Sequence, residues 1–217
     1  MDSSAAAISR SLLSSQLTTS YISDSSTSGH YFDVKAKTDI ILNGIDINSA
    51  QDIGNSPIEI YVKMGSYEGY TNNSTSWLLW ANRLLTNTSG VDAPTSIDIP
   101  PININTDGRR SFYIHRTANN DCLRYDSTSN NTTLRVYQNQ HVMLYRAGST
   151  KMNGDTWDGE LSDTPSVFSG GLSYDVVTQS PTKMPTLRPS KSPSRSPTVS
   201  SLRFCAYLVF TFANLCF

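Results

Sequence analysis

The sequence predicts an all-β protein, an antiparallel β-sandwich of jelly-roll-like form, with a disordered N-terminal segment and a Pro-rich C-terminal stalk. Three observations carry that expectation. From Tyr31 to Val176 apolar residues recur with period two in short runs, punctuated by Gly, Pro, Asn and Asp. No strand–helix alternation accompanies them, which argues against a parallel α/β sheet. Ser (33) and Thr (22) are abundant and charged residues are only 16% of the 217, a usage that disfavours long helices and coiled coils.

The elements follow in order. Phe32, Val34 and Ala36 alternate with Asp33, Lys35 and Lys37. Ile40-Ile41-Leu42 leads through Asn43-Gly44 to Ile45 and Ile47, the pattern of a bulged strand or of two strands around a tight turn. Ile58, Ile60 and Val62 share one face of the next run. Ser76–Leu85 has helical potential but is read as strand. Ile97 and Ile99, then Ile102 and Ile104, flank an expected break at Pro100-Pro101. Phe112 and Ile114 oppose Tyr113 and His115, and Leu123–Tyr125, Leu134–Val136, Val142–Tyr145 and Leu172–Val176 complete the set.

Charge divides the chain. Its formal net charge of -1 gives no case for a nucleic-acid partner. Residues 1–29 carry a net -1, residues 30–178 a net -5, and residues 179–217 five bases and no acid. The domains expected are therefore 1–29, a disordered Ser-rich segment; 30–178, the sandwich; 179–201, the stalk; and 202–217, an apolar terminal segment. The first holds no apolar run of the roughly 7–15 residues that a secretory signal needs. In the stalk Pro181, Pro185, Pro189, Pro193 and Pro197 recur every fourth residue, each followed by Ser or Thr. Proline excludes helix and sheet here, so extended chain of ~3.1 Å per residue is expected, a semi-rigid spacer. Its bases keep it soluble and admit a polyanionic partner such as wall matrix. Residues 202–217 are a candidate membrane tether, short against the ~30 Å hydrocarbon core.

Chemistry-bearing motifs are scarce. No nucleophile elbow, phosphate loop, HExxH or paired CxxC occurs. The three cysteines place only Cys122 in the sandwich, so no disulfide forms within it and the side chain is expected to pack. His115, and a pairing of Asp46 with Glu59 across a concave face, are the weak catalytic candidates. No cofactor is expected, but the loop 153–160 is dense in acidic oxygens, and Asp155, Asp158 and Glu160 are candidate Ca²⁺ ligands. Asn-x-Ser/Thr sequons at Asn72, Asn73, Asn87, Asn130 and Asn131 are candidate glycosylation sites in expected loops. Tyr67, Tyr70, Trp77, Trp80 and Trp157 are the candidate sugar-stacking platform; packing in the core is the competing reading.

The segments Phe32–Ala36, Ile58–Lys63, Gly65–Gly69, Phe112–Ile114, Leu123–Tyr125 and Phe168–Tyr174, with Trp77, occur in an order that resembles an uncharacterised β-sandwich domain of diatom and bacterial extracellular proteins. The Pro-Ser/Thr-x-x repeat looks like the linkers of diatom-type secreted and surface proteins. The resemblance implies a secreted or cell-surface location and assigns no catalytic or binding residues. The expected function is a non-enzymatic extracellular recognition or adhesion module, glycan-binding, on a stalk. The alternatives are a structural cell-wall matrix protein held by its basic stalk, and a jelly-roll hydrolase.

Overall fold

The structure, a computed structural model, describes residues 10–50, 57–85, 87–117, 122–127, 137–152, 157, 160–161 and 166–179. Its strands are β1 (Arg10–Thr18), β2 (Ser25–Thr27), β3 (Gly29–Ala36), β4 (Ile40–Asn48), β5 (Pro57–Met64), β6 (Leu78–Leu84), β7 (Pro94–Ile104), β8 (Arg109–Arg116), β9 (Leu123–Ser127), β10 (Tyr137–Gln138), β11 (Val142–Met152), β12 (Glu160–Leu161), β13 (Ser166–Phe168) and β14 (Gly170–Gln179). They form antiparallel sheets. One has the order β1-β14-β4-β7; a second has β10-β11-β3-β8-β5-β6, with β12 also on β11; a small third has β13-β9-β2. The chain divides into Met1–Pro181 and Thr182–Phe217. The second unit lies outside the described residues, as does the expected stalk apart from Gln179, which closes β14. Among the described residues no helix is long and apolar enough to cross a membrane.

The period-two runs build the sandwich as expected. Ile40, Leu42, Ile45 and Ile47 of β4 and the four isoleucines of β7 face Phe32 and Val34 of β3, Phe112 and Ile114 of β8, and Ile58 and Ile60 of β5 in one buried core. Leu123 and Phe168 bring the small sheet into the same core. Cys122 is buried there too.

Three expectations are corrected or resolved. Within the segment 1–29, expected to be disordered, residues 10–29 contain β1 and β2, so the sandwich begins by Arg10. β1 pairs with β14 from Arg10↔Gln179 to Thr18↔Gly171, yet Leu17 is its one core side chain among those described. Backbone bonds and hydroxyl contacts such as Ser14 to Asp175 at 2.7 Å hold it in place of an apolar face. Pro100-Pro101 does not break β7. β7 is an edge strand, where a missing N–H is harmless, and the prolines sit where the β4–β7 register shifts between Leu42 and Gly44. Against β14, Asn43 is an extra residue between Leu42 and Gly44, so β4 is one bulged strand rather than two around a turn. The strand expected at Leu134–Val136 lies outside the described residues.

The Gly170-Gly171 pair has a steric cause. A Cβ on Gly170 would collide with the Asp46 backbone carbonyl and sit 2.5 Å from the Phe168 ring. β14 can therefore lie against β4 only with glycine there. Gly170→Ala is expected to lower stability by about 1–3 kcal/mol, and a denaturation midpoint unchanged by the substitution would contradict this packing.

His30 sits edge-on to the rings of Tyr125 and Phe168, at 5.7 and 5.9 Å, where the small sheet meets the core. Complete burial pushes its pKa down to about 3 from the ordinary 6.5. The unfolded chain takes up the proton below 6.5, whereas the folded chain does so only near 3. Stability is therefore lost as pH falls through that window, by on the order of 1.4 kcal/mol per pH unit. His30→Gln is expected to flatten the fall between pH 6.5 and 4.5 measured by urea denaturation; an identical pH slope in both proteins would contradict the assignment.

Candidate functional site

The sheet containing β3, β8 and β5 is covered on both faces. Tyr31, Tyr61 and Tyr113 alternate with the core residues and so project from its outer face, with Tyr31 and Tyr113 stacked at 4.0 Å and Tyr61 5.9 Å from Tyr113. The loop after β5 folds back over them. Gly65 and Gly69 supply its left-handed positions, at φ 80° and 78°. Asp33, fully buried, fastens it: the Ser66 hydroxyl donates to this carboxylate at 2.9 Å, the Tyr67 amide at 3.2 Å, and the Arg109 guanidinium pairs with it. The Ser111 hydroxyl lies 2.5 Å from the same carboxylate.

This loop decides the fate of the aromatic candidates. Tyr67 and Trp77 are 6% and 8% exposed, in contact with Tyr31 at 6.0 and 5.6 Å. Half-buried Trp157 packs on Tyr61 and Tyr113 at 5.0 and 5.3 Å. A flat five-ring platform is therefore not what these residues make; Tyr67, Trp77 and Trp157 roof a second core. Burial pushes the Tyr31 and Tyr113 hydroxyls well above the ordinary tyrosine pKa, so they serve here as neutral hydrogen-bonding groups.

Tyr70 and Trp80 have a different setting. β6 pairs with β5 only as far as Val62↔Leu78, while β5 continues to Met64 paired with β8 alone. A cleft of about 820 Å³ opens where β6 stops. Val62, Lys63 and Met64 line it beside Ile102 and Asn103 of β7, together with Tyr70, Trp77, Leu78 and Trp80. Trp80 is oriented by its indole N–H, which donates to the Pro100 carbonyl at 2.7 Å. The indole N–H of Trp77 donates to the Tyr70 carbonyl at 2.9 Å and fixes that loop. Met64, Leu78 and Tyr70 remain 72%, 60% and 41% exposed, a concentration of apolar surface next to a concavity. Ligand clefts have this make-up: apolar and aromatic walls, volume of several hundred Å³, and a few polar groups.

The other candidates scatter. Asp46 alternates with inward-facing Ile45 and Ile47, and Glu59 with inward-facing Ile58 and Ile60, so the two carboxylates lie on opposite outer faces. They form no acid–base pair. Asp46 instead ties neighbouring strands, accepting from Gln16 at 2.7 Å and Ser96 at 2.6 Å, and Glu59 accepts from the Tyr61 hydroxyl at 2.7 Å. His115 is buried beside the Tyr113 ring at 5.6 Å rather than on an open face. Asn72, Asn73 and Asn87 are exposed and outside strands; Asn130 and Asn131 lie outside the described residues. Among the described residues no three His, Cys, Asp or Glu side chains gather as a metal site. Asp155, Asp158 and the Glu160 side chain lie outside them.

Sequence reasoning missed Lys63, Met64, Leu78, Asn103 and Arg110, all of which line the cleft. Periodicity places Lys63 opposite the apolar face of Ile58, Ile60 and Val62 and marks none of the five as part of a cleft. Compared with known proteins, the chain matches no family model and no curated sequence.

Proposed function

We propose that the sandwich is a non-enzymatic recognition module of a secreted or cell-surface protein, and that it binds glycan through the cleft at the end of β6. The observation that supports this most is the placing of Tyr70 and Trp80, exposed and half-buried aromatics, in the lining of an 820 Å³ cleft. A sugar ring presents an apolar C–H face to such rings and its hydroxyls to Asn103, Thr75 and Ser76. The Pro-rich stalk supports the same reading, since a spacer suits a domain that must reach a ligand. The full chain is expected to be retarded in native gels containing a soluble polysaccharide. Trp80→Ala and Tyr70→Ala should each restore its mobility, and Tyr70→Ala removes an exposed ring while keeping the Tyr70 carbonyl that Trp77 uses. Unaltered retardation in both variants would move the binding elsewhere.

The five bases and no acids of residues 179–217 favour a second reading, a wall-matrix protein retained by its stalk. Deleting residues 179–201 is expected to abolish retention on a polyanionic matrix under that reading and to leave it intact under the first.

A further inference from the structure

We infer that the cleft selects a glycan bearing carboxylates, a chain of uronic-acid residues; this rests on the glycan-binding reading above. Lys63 and Arg110 line the cleft and no Asp or Glu does. The ion pairs Lys35–Asp107 and Arg109–Asp33 include neither cleft cation, and among the described residues Lys63 and Arg110 have no carboxylate partner. Adjacent arginines thus have different tasks. Arg109 neutralises the buried Asp33, whereas Arg110, opposite Met64 in the β5–β8 ladder, turns to the cleft.

Both cations are held in place without being neutralised. The Lys63 ammonium donates to the Met64 and Ser66 carbonyls at 2.9 and 3.0 Å and lies 3.8 Å above the Tyr70 ring. Carbonyls and a ring face orient the ammonium but leave its net charge. The half-buried Arg110 side chain donates one Nη1 bond to the Arg109 carbonyl at 3.2 Å, its one side-chain hydrogen bond among the described residues. Its other N–H groups keep the planar fork that matches a carboxylate in bidentate fashion. The apolar neighbours Val62, Met64 and Ile102 lower the local dielectric, so a charge pair is stronger here than on open surface. Lys63 shares the outer sheet face with Tyr61, and Arg110 the inner face with Phe112, so the two cations reach the cleft from its two sides. Tyr70 and Trp80 hold the chain of sugar rings, and each cation favours a carboxylate over a hydroxymethyl group on its own residue.

Calorimetric titration of the full chain with an oligogalacturonate, its methyl ester and a sulfated oligosaccharide free of uronic acid tests this. The acid is expected to bind at least ~10-fold more tightly than the ester, with affinity falling as salt rises. Arg110→Gln and Lys63→Gln should each weaken the acid about tenfold and the ester much less, so that the preference for acid over ester collapses. Equal binding of acid and ester, or tighter binding of the sulfated sugar, would overturn the carboxylate inference and leave the glycan reading standing. Retention of none of the three, nor of any neutral polysaccharide, would remove both.

Discussion

Asp33→Ala is expected to lower stability by about 3–5 kcal/mol, measured by urea denaturation at neutral pH. Asp33 is fully buried on β3 and gathers Ser66, the Tyr67 amide, Ser111 and Arg109 around one carboxylate. Without it the Tyr67 amide loses its acceptor in a buried place and the Arg109 charge, one-third exposed, loses its counter-ion. The loop that these groups fasten carries Tyr67, Tyr70 and Trp77. Loosening it therefore exposes the second core and deforms one wall of the cleft. A loss below about 1 kcal/mol would mean that the loop is held by its aromatic contacts alone.

Tyr113→Ala is expected to be of similar size, about 3–5 kcal/mol, for a different reason. The ring is fully buried and central to the outer-face cluster, 4.0 Å from Tyr31, 5.3 Å from Trp157 and 6.3 Å from Trp77. Its removal leaves a cavity that a paired β-sheet cannot collapse to fill. Tyr113→Phe keeps the ring and should retain most of the stability. Tryptophan emission of the Ala variant is expected to shift to the red, because Trp77 and Trp157 lose their cover. An Ala variant as stable as the Phe variant would show that the outer face is not a core.

These expectations follow from a feature that period-two reading shows only in part. Phe32, Ile58, Ile60, Phe112 and Ile114 are inward as alternation requires. Alternation also marks Tyr31, Tyr61 and Tyr113 as outward, but it does not say whether outward means solvent. Here the glycine-hinged loop after β5 covers them, and the contacts that decide this join Asp33 to residues 33 and 34 positions away. β1 was illegible for the opposite reason: Arg10–Thr18 is held by ladder bonds to β14 and hydroxyl contacts, which leave no apolar period. The Pro100-Pro101 pair misled because sequence does not reveal that β7 is an edge. The cleft was the least legible element. Tyr70 and Trp80 stand out in the sequence by ring size, but Lys63, Arg110 and Asn103 come from three strands and line one cleft only because the β5–β6 pairing stops at Val62↔Leu78, two residues short of the end of β5.

The most direct test of glycan recognition at this cleft is a glycan-array profile of the full chain beside Tyr70→Ala and Trp80→Ala, with melting temperatures measured on each. A defined set of bound glycans is expected for the parent chain, with its loss in both variants while Tyr70→Ala remains folded. The same bound set in all three proteins, or silence from the folded parent chain, would contradict it.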